Sequence, residues 1–181
     1  MQIRALREAD ERSAFRSGDP DLDRFFLRFA AQNQFRHYVG VTYVAVDDAR
    51  ILGFATVAPG HVEIEGLPAD ARRALPRYPL PVLRLARLAV DQGAQGQGLG
   101  GQLLRFVLEL ATRMAADFGC IGVVVDAKRS AGKDAKPSAV DFYAKHGFLA
   151  LDAVHGQSDA RPRPTAMFLA IRAIREASEG G

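Results

Sequence analysis

Between Arg87 and Phe106 the chain reads RLAVDQGAQGQGLGGQLLRF, and five of these residues are glycine: Gly93, Gly96, Gly98, Gly100 and Gly101. Glycine loses more conformational freedom on ordering than any other residue. This density, between an apolar run and a leucine-rich run, implies a backbone that must come close to something. A strand that passes through glycines into a helix makes an anion site. Loop amides and the first helical amides lack partners within the helix, and the helix dipole favours negative charge there. The implied ligand carries a phosphate or pyrophosphate. Three motifs compete for the stretch. A Walker loop fails, because Gln102 and Leu103 follow Gly101 where Lys and Ser/Thr are needed. GQGLGG (Gly96 to Gly101) has the bare G-x-G-x-x-G spacing of a dinucleotide fingerprint. It follows a long meander instead of opening the first strand–helix unit. The third motif, Q/R-x-x-G-x-G/A, is met by Gln95, Gly96, Gln97, Gly98, Leu99 and Gly100. Other chemistry has little support. His37, His61, His146 and His155 show no metal-ligand spacing with one another, with Cys120 or with a carboxylate, so no metal is expected. There is no G-x-S-x-G.

The elements that would carry this loop follow from periodicity. VLRLARLAV (Val82 to Val90) reads as a long strand leading into the glycines. GQLLRFVLELATRMAADF then reads as a helix, with Leu103, Leu104, Val107, Leu108, Ala111 and Met114 on one face. Upstream, QIRAL is a short strand. GDPDLDRFFLRFAAQN is a helix capped by Asp19, with Pro20 in its first turn and one buried stripe of Leu22, Phe25, Phe26, Phe29 and Ala30. VTYVAV and ILGFATVA are strands joined by a turn at DDAR, and HVEIEGL extends that sheet. A short helix is expected over Pro68 to Leu75, before the proline-marked connector PRYPLP. Downstream, IGVVVDA is a buried strand with Cys120 beside it as a small core residue. SAVDFYAKHGF is a helix opened by a Ser138–Asp141 capping box and ended at Gly147. TAMFLAIRAI is a last strand or helix. This order predicts a mixed α/β layer fold.

Composition fits one domain over residues 1–181. Hydrophobic residues at 48% and charged residues at 25% are near globular averages, which excludes extensive disorder and a coiled coil. No apolar run approaches the roughly 20 residues of a membrane span, and MQIRALREADERS lacks the apolar core of a signal peptide. A cytoplasmic protein without membrane contact is expected. The single cysteine excludes an intrachain disulfide framework. A net charge of +3 permits a polyanionic partner.

The glycine stretch LAVDQGAQGQGLGGQLL together with AVDFYAKHGF resembles the GNAT superfamily of acyl-CoA-dependent N-acetyltransferases. The glycine stretch is similar to that family's strand, pyrophosphate loop and helix. AVDFYAKHGF is similar to its later helix, ending in F-Y-x-x-x-G-F. The resemblance covers residues 1 to 151. It implies an α/β (α+β) GNAT fold, a single twisted mixed sheet flanked by helices and split between strands 4 and 5, with acetyl-CoA in the split. The implied cofactor-binding residues are Leu88, Ala89, Val90, Gln95, Gly96, Gln97, Gly98, Leu99, Gly100 and Gly101. Amides of Leu88 and Val90 would meet the pantetheine arm and thioester oxygen, and the glycine amides would hold the pyrophosphate. Tyr143 matches the tyrosine that protonates the leaving thiolate in this superfamily, while Phe142 and Phe148 are core residues. Glu63, Glu65, His61 and Asp126 are candidate general bases by approximate position.

A narrower resemblance is to the GNAT toxins of bacterial toxin–antitoxin modules. Gly18, Leu22, Asp23, Phe26, Leu27, Ala31 and Asn33 stand in the places of their hallmark first helix. It implies acetylation of the α-amine of aminoacyl-tRNA, a block on translation and a ribbon–helix–helix antitoxin as partner. A homodimer is compatible with it. An RNA acceptor needs a basic surface, for which Arg72, Arg73, Arg77, Arg84, Arg87, Lys128, Arg129, Lys133 and Lys136 are available. The chain departs from the toxin pattern in two extended loops, 127–137 and 152–165. Two other readings therefore stand beside the toxin. One is a GNAT enzyme acting on a small-molecule amine or a protein N-terminus. The other is a non-catalytic CoA-binding module.

Overall fold

A computed structural model describes residues 1–67, 69–128, 138–151 and 164–179. The elements in chain order are β1 (Gln2–Ala5), α1 (Pro20–Arg28), α2 (Ala30–Phe35), β2 (Val41–Asp47), β3 (Arg50–Val62), α3 (Ala69–Arg72), β4 (Leu80–Val90), α4 (Leu99–Asp117), β5 (Gly122–Ala127), α5 (Ala139–Lys145), β6 (Leu149–Ala150), β7 (Thr165–Ala170) and α6 (Ile171–Glu179). The strands form one mixed sheet in the order β1-β2-β3-β4-β5-β7-β6, with β4 and β5 parallel across the α4 crossover. This is the α/β architecture expected from the element order. Of the sequence expectations, Pro68, Arg129, Lys133, Lys136 and His155 lie outside the described residues, as do most of the two extended loops.

The chain forms two compact units, Met1–Pro59 with Leu85–Leu110, and Gly60–Arg84 with Ala111–Gly181. In the first, β1 pairs antiparallel with β2, and β2 with β3 through a turn in which Asp48 takes a φ of +50°. Asp tolerates that left-handed conformation because its short side chain bonds the local backbone. The pairing slips at Ala45/Val46 and leaves Leu52 unopposed on β3. Its carbonyl accepts the N–H of Asp91 at 2.8 Å, so the bulge ties the end of β4 to its neighbour. The core of this unit is aromatic. Phe26 stacks on Phe54 at 4.3 Å, and Phe15 meets both edge-on at 4.9 and 5.5 Å. Burying each such ring contributes roughly 1.5–3 kcal/mol.

Asp19 caps α1 by accepting the amides of Asp21 and Leu22, as its type and position predict. The expected single helix is broken at Phe29, however. Its φ of −112° divides α1 from α2 and leaves its ring 44% exposed, while Phe25, Phe26 and Ala30 stay buried. Phe29 therefore leaves the predicted stripe, because a break in the helix rotates the face that follows it.

In the second unit, Ile64, Leu67, Leu80, Val82, Val124 and Phe168 form the core. β7 runs antiparallel to both β5 and β6. The untyped tail is both things in turn. Met167, Phe168 and Leu169 are buried in β7, and the chain then turns into α6, whose Ile174 is buried. HVEIEGL extends β3 only to Val62, after which Ile64–Gly66 makes a single 3₁₀ turn. Along α4, Leu103, Leu104, Val107, Ala111 and Met114 are buried as predicted, and Leu108 is half-buried. No helix among the described residues is long and apolar enough to cross a membrane.

Candidate active site

The glycine loop is built in the first unit. β4 ends at Val90, with Ala89 in the core and Leu88 and Val90 half-buried. Asp91 follows and is 6% exposed. Its carboxylate accepts the amides of Arg16 and Gly93, both at 3.1 Å, and the Arg50 guanidinium at 2.8 Å. Burial alone would raise its pKa, but these three donors outweigh burial and hold it below the usual aspartate range. The sequence reading did not single out Asp91. Its one local signal is an aspartate two residues before a glycine, the spacing of an Asx turn.

The segment before α1 braces the loop. The Gln95 side-chain amide donates to the carbonyls of Ser17 at 2.8 Å and Val90 at 2.9 Å, and the Gln92 amide donates to the Arg16 carbonyl at 2.8 Å. The Ser17 turn is itself held by Asp23, whose carboxylate accepts the Ser17 amide at 2.8 Å and hydroxyl at 2.6 Å. Asp23, singled out in the first-helix pattern, thus acts through the loop's scaffold. Gln97 donates to the Gly93 carbonyl at 3.3 Å.

Gly96 and Gly98 have φ of +79° and +80°, and a Cβ placed on either would meet nothing within 4 Å. Protein packing does not demand glycine there. The left-handed backbone does, and the space a side chain would fill is open. The first helical bond of α4 runs from the Gln102 amide to the Gly98 carbonyl at 3.2 Å. The amides of Leu99, Gly100 and Gly101 therefore have no acceptor within the helix. Leu99 is 4% exposed and anchors the helix start. A loop of left-handed glycines feeding a helix N-terminus is a backbone nest for phosphoryl oxygens. This donor set fits the pyrophosphate of acetyl-CoA.

Tyr143 is positioned within the second unit. Ser138 Oγ accepts the Asp141 amide at 3.2 Å, while the Asp141 carboxylate accepts the Ser138 amide at 3.0 Å. This is the predicted capping box, and Gly147, with φ of +86°, ends the turn after α5. The start and stop so defined turn Tyr143 inward, to 5% exposure, with its ring edge-on to Phe142 at 5.1 Å and Phe148 at 5.4 Å. Phe148 is buried as expected, and Phe142 is only half-buried, with His146 against it at 4.6 Å. Burial pushes the Tyr143 phenol well above its ordinary pKa, so it stays protonated at neutral pH.

The remaining candidates differ in setting. His61, Glu63 and Glu65 are all exposed. Asp126 is engaged by Arg84, whose guanidinium donates to it at 2.5 Å. Arg72, Arg73 and Arg77 are exposed around α3, and Arg73 reaches Asp70 at 3.9 Å. Arg87 has its guanidinium 3.8 Å from the centre of the Phe25 ring. Cys120 is buried and donates to the Gly122 carbonyl at 3.2 Å, and burial raises its thiol pKa. That is the inert core cysteine expected. Among the described residues no three His, Cys, Asp or Glu side chains gather as a metal site.

Residues 39–149 match the family model described as an acetyltransferase (GNAT) domain. A tRNA-acetylating toxin of Mycobacterium tuberculosis is 36% identical over 126 residues, 68% of this chain and 74% of that protein. A probable toxin TacT of Sinorhizobium fredii is 26% identical over 167 residues, 91% of this chain and 87% of that protein. Among solved structures, AtaT complexed with acetyl-methionyl-tRNAfMet superposes with a TM-score of 0.81 at 22% identity, covering 98% of each chain. That identity speaks for the fold. A matched stretch that takes in both the glycine loop and Tyr143, on that same fold, places the chain in the GNAT acetyltransferase family.

Proposed function

We propose that this protein acetylates the α-amine of aminoacyl-tRNA and so blocks translation, as the toxin of a bacterial toxin–antitoxin pair. The observation that carries the reading is the 36% identity to a protein named as a tRNA-acetylating toxin. Acetyl-CoA, when bound, supplies an acetyl group activated as a thioester. The amides of Gly96, Gly98, Leu99, Gly100 and Gly101 hold its pyrophosphate, and Gln95 and Gln97 keep the loop in shape. Backbone amides of Leu88 and Val90, on either side of Ala89, orient the pantetheine arm and polarise the carbonyl oxygen, where charge develops. As the amine nitrogen bonds to the thioester carbon and the C–S bond breaks, Tyr143 Oη would donate its proton to the leaving sulfur, and the proton shed by the amine would pass to water. The α-amine of an aminoacyl ester is a weaker base than lysine, so it needs no strong general base. An Asp126 already engaged by Arg84 suits that requirement.

The RNA backbone is met by Arg72, Arg73 and Arg77, which are exposed; Arg87 and, outside the described residues, Lys133 and Lys136 are the other basic residues proposed for the acceptor. The proposed setting is the cytoplasm, where charged tRNA is found. The proposed partner is a ribbon–helix–helix antitoxin. AtaT has been solved bound to the C-terminus of its antitoxin AtaR, on the same fold at 22% identity. A homodimer is the assembly to seek by light scattering.

The test is incubation of the protein with radiolabelled acetyl-CoA and charged total tRNA. Label should appear on the aminoacyl end of tRNA and be released by mild alkali with the amino acid. Label that enters only small amines or protein N-termini would overturn the reading.

A further inference from the structure

In the first unit a cleft of about 270 Å³ is lined by Glu8, Arg28, Ala31, Gln32, Phe35 and Arg36. Arg28 ends α1, and the next four of these residues lie on one face of α2 and its C-cap. Arg4, Arg50 and Arg84 each hold a carboxylate, while other exposed arginines, Arg72 and Arg77 among them, hold none among the described residues. The side chains of Arg28 and Arg36 hold none among the described residues, although Glu8 lines the same cleft. Two arginines against one glutamate leave the cleft with a net positive charge.

A second observation lies next to it. The His37 ring is 3.0 Å from the side-chain amide of Gln32, a cleft residue. Tyr38 follows, 83% exposed, with a φ of +54°. A bulky residue in the left-handed region carries strain that asparagine or glycine would relieve. Its ring is not buried in the protein to offset that strain. Strain retained at an exposed aromatic, beside guanidinium groups without a carboxylate, is the combination that single-stranded nucleic acid uses: cations for the phosphates and a flat face for a base.

We propose that the Arg28–Arg36 cleft binds backbone phosphate of the acceptor RNA and that Tyr38 stacks on an unpaired base beside it. The proposal rests on the reading of the acceptor as RNA, and places a contact well separated in sequence from the arginines around α3. It is tested by binding of uncharged total tRNA between about 50 and 200 mM salt, alongside acetyl-CoA titration and thermal melting. Arg28→Gln with Arg36→Gln should weaken tRNA binding about tenfold and lower the magnitude of the salt slope by roughly 1.4 to 1.8, the share of two phosphates. Acetyl-CoA affinity should not change. Glu8→Gln should tighten tRNA binding, a sign that misfolding cannot produce. Tyr38→Asn should weaken tRNA binding several-fold while the melting temperature holds or rises, since asparagine accepts the left-handed backbone. Unchanged affinity and salt slope in the double variant would overturn the proposal. So would a double variant that loses only thermal stability, which would make these arginines partners of the helix C-termini. Loss of poly-glutamate binding with tRNA binding intact would reassign the cleft to an acidic peptide. Wild-type protein that binds tRNA through this cleft, yet never labels its aminoacyl end, would remove the proposed function and leave this site standing.

Discussion

Tyr143 combines a hydroxyl that is protonated at neutral pH, as a tyrosine's ordinarily is, with a ring held edge-on by Phe142 and Phe148. Tyr143→Phe removes one oxygen and keeps the packing. Acetyl-CoA affinity should hold while kcat falls by about 10²-fold or more, the usual scale for losing a general acid. The loss belongs in kcat because the proton moves only in the transition state. Full turnover at intact affinity would show a packing residue and send the search for the acid elsewhere. Gly98 permits an equally direct experiment. Asp is strained at a φ near +80° but tolerates left-handed backbone better than most side chains, so Gly98→Asp should fold with a modestly lowered melting temperature. Its carboxylate would fill the open space and face an anion at a helix N-terminus. Calorimetry should find no acetyl-CoA binding, and normal affinity would mean that the pyrophosphate lies elsewhere.

At the scale of elements, the glycine loop is held from outside itself. The turn before α1, organised by Asp23, presents the Arg16 and Ser17 carbonyls to Gln92 and Gln95, and the Arg16 amide to Asp91. Gln95→Leu removes the bond to the Ser17 carbonyl and a second to the Val90 carbonyl while leaving every loop amide in place. Acetyl-CoA should then bind several-fold more weakly with kcat at saturation little changed, because the loop must be ordered when the ligand binds. A change in kcat at constant KM would instead give Gln95 a role in the chemical step.

Across the whole molecule, charge sets two behaviours. The net charge is small, +3, so RNA attraction must come from local patches. Arg72→Glu with Arg73→Glu should raise the KM for tRNA and flatten its salt dependence while sparing acetyl-CoA binding. A salt-independent KM in the wild type would count against an RNA acceptor. The other behaviour is acid sensitivity. Asp10 is held below the ordinary aspartate range chiefly by its hydrogen bond from Arg4, and Asp91 by its three donors against burial. A depressed folded-state pKa means stability that is complete above the unfolded value, about 3.9, and lost as pH falls through the folded one. Melting temperature should therefore stay level with respect to these groups down to about pH 4 and fall below it. Asp91→Asn should lower it at neutral pH and shrink that acid-induced fall.

The sequence alone determined whatever depends on neighbours a few residues apart. Asp19 and Pro20 open α1, Ser138 and Asp141 open α5, Gly147 closes it, and the apolar period of α4 points Leu103, Leu104 and Val107 inward. The glycine loop ahead of that helix was legible as a close-approach loop, but that Gly96 and Gly98 are its left-handed members came only from the structure. Tertiary structure alone decided the break at Phe29, the stacking of Arg87 on Phe25, the capture of Asp126 by Arg84 and the passage of the tail from β7 to α6. It also decided how the loop is supported. Arg16 meets Asp91 across 75 residues of chain, and Gln95 reaches Ser17 across 78. Local periodicity carries no record of such partners, because they become neighbours only when burial of the aromatic core closes the chain between them and offsets the entropy of that closure.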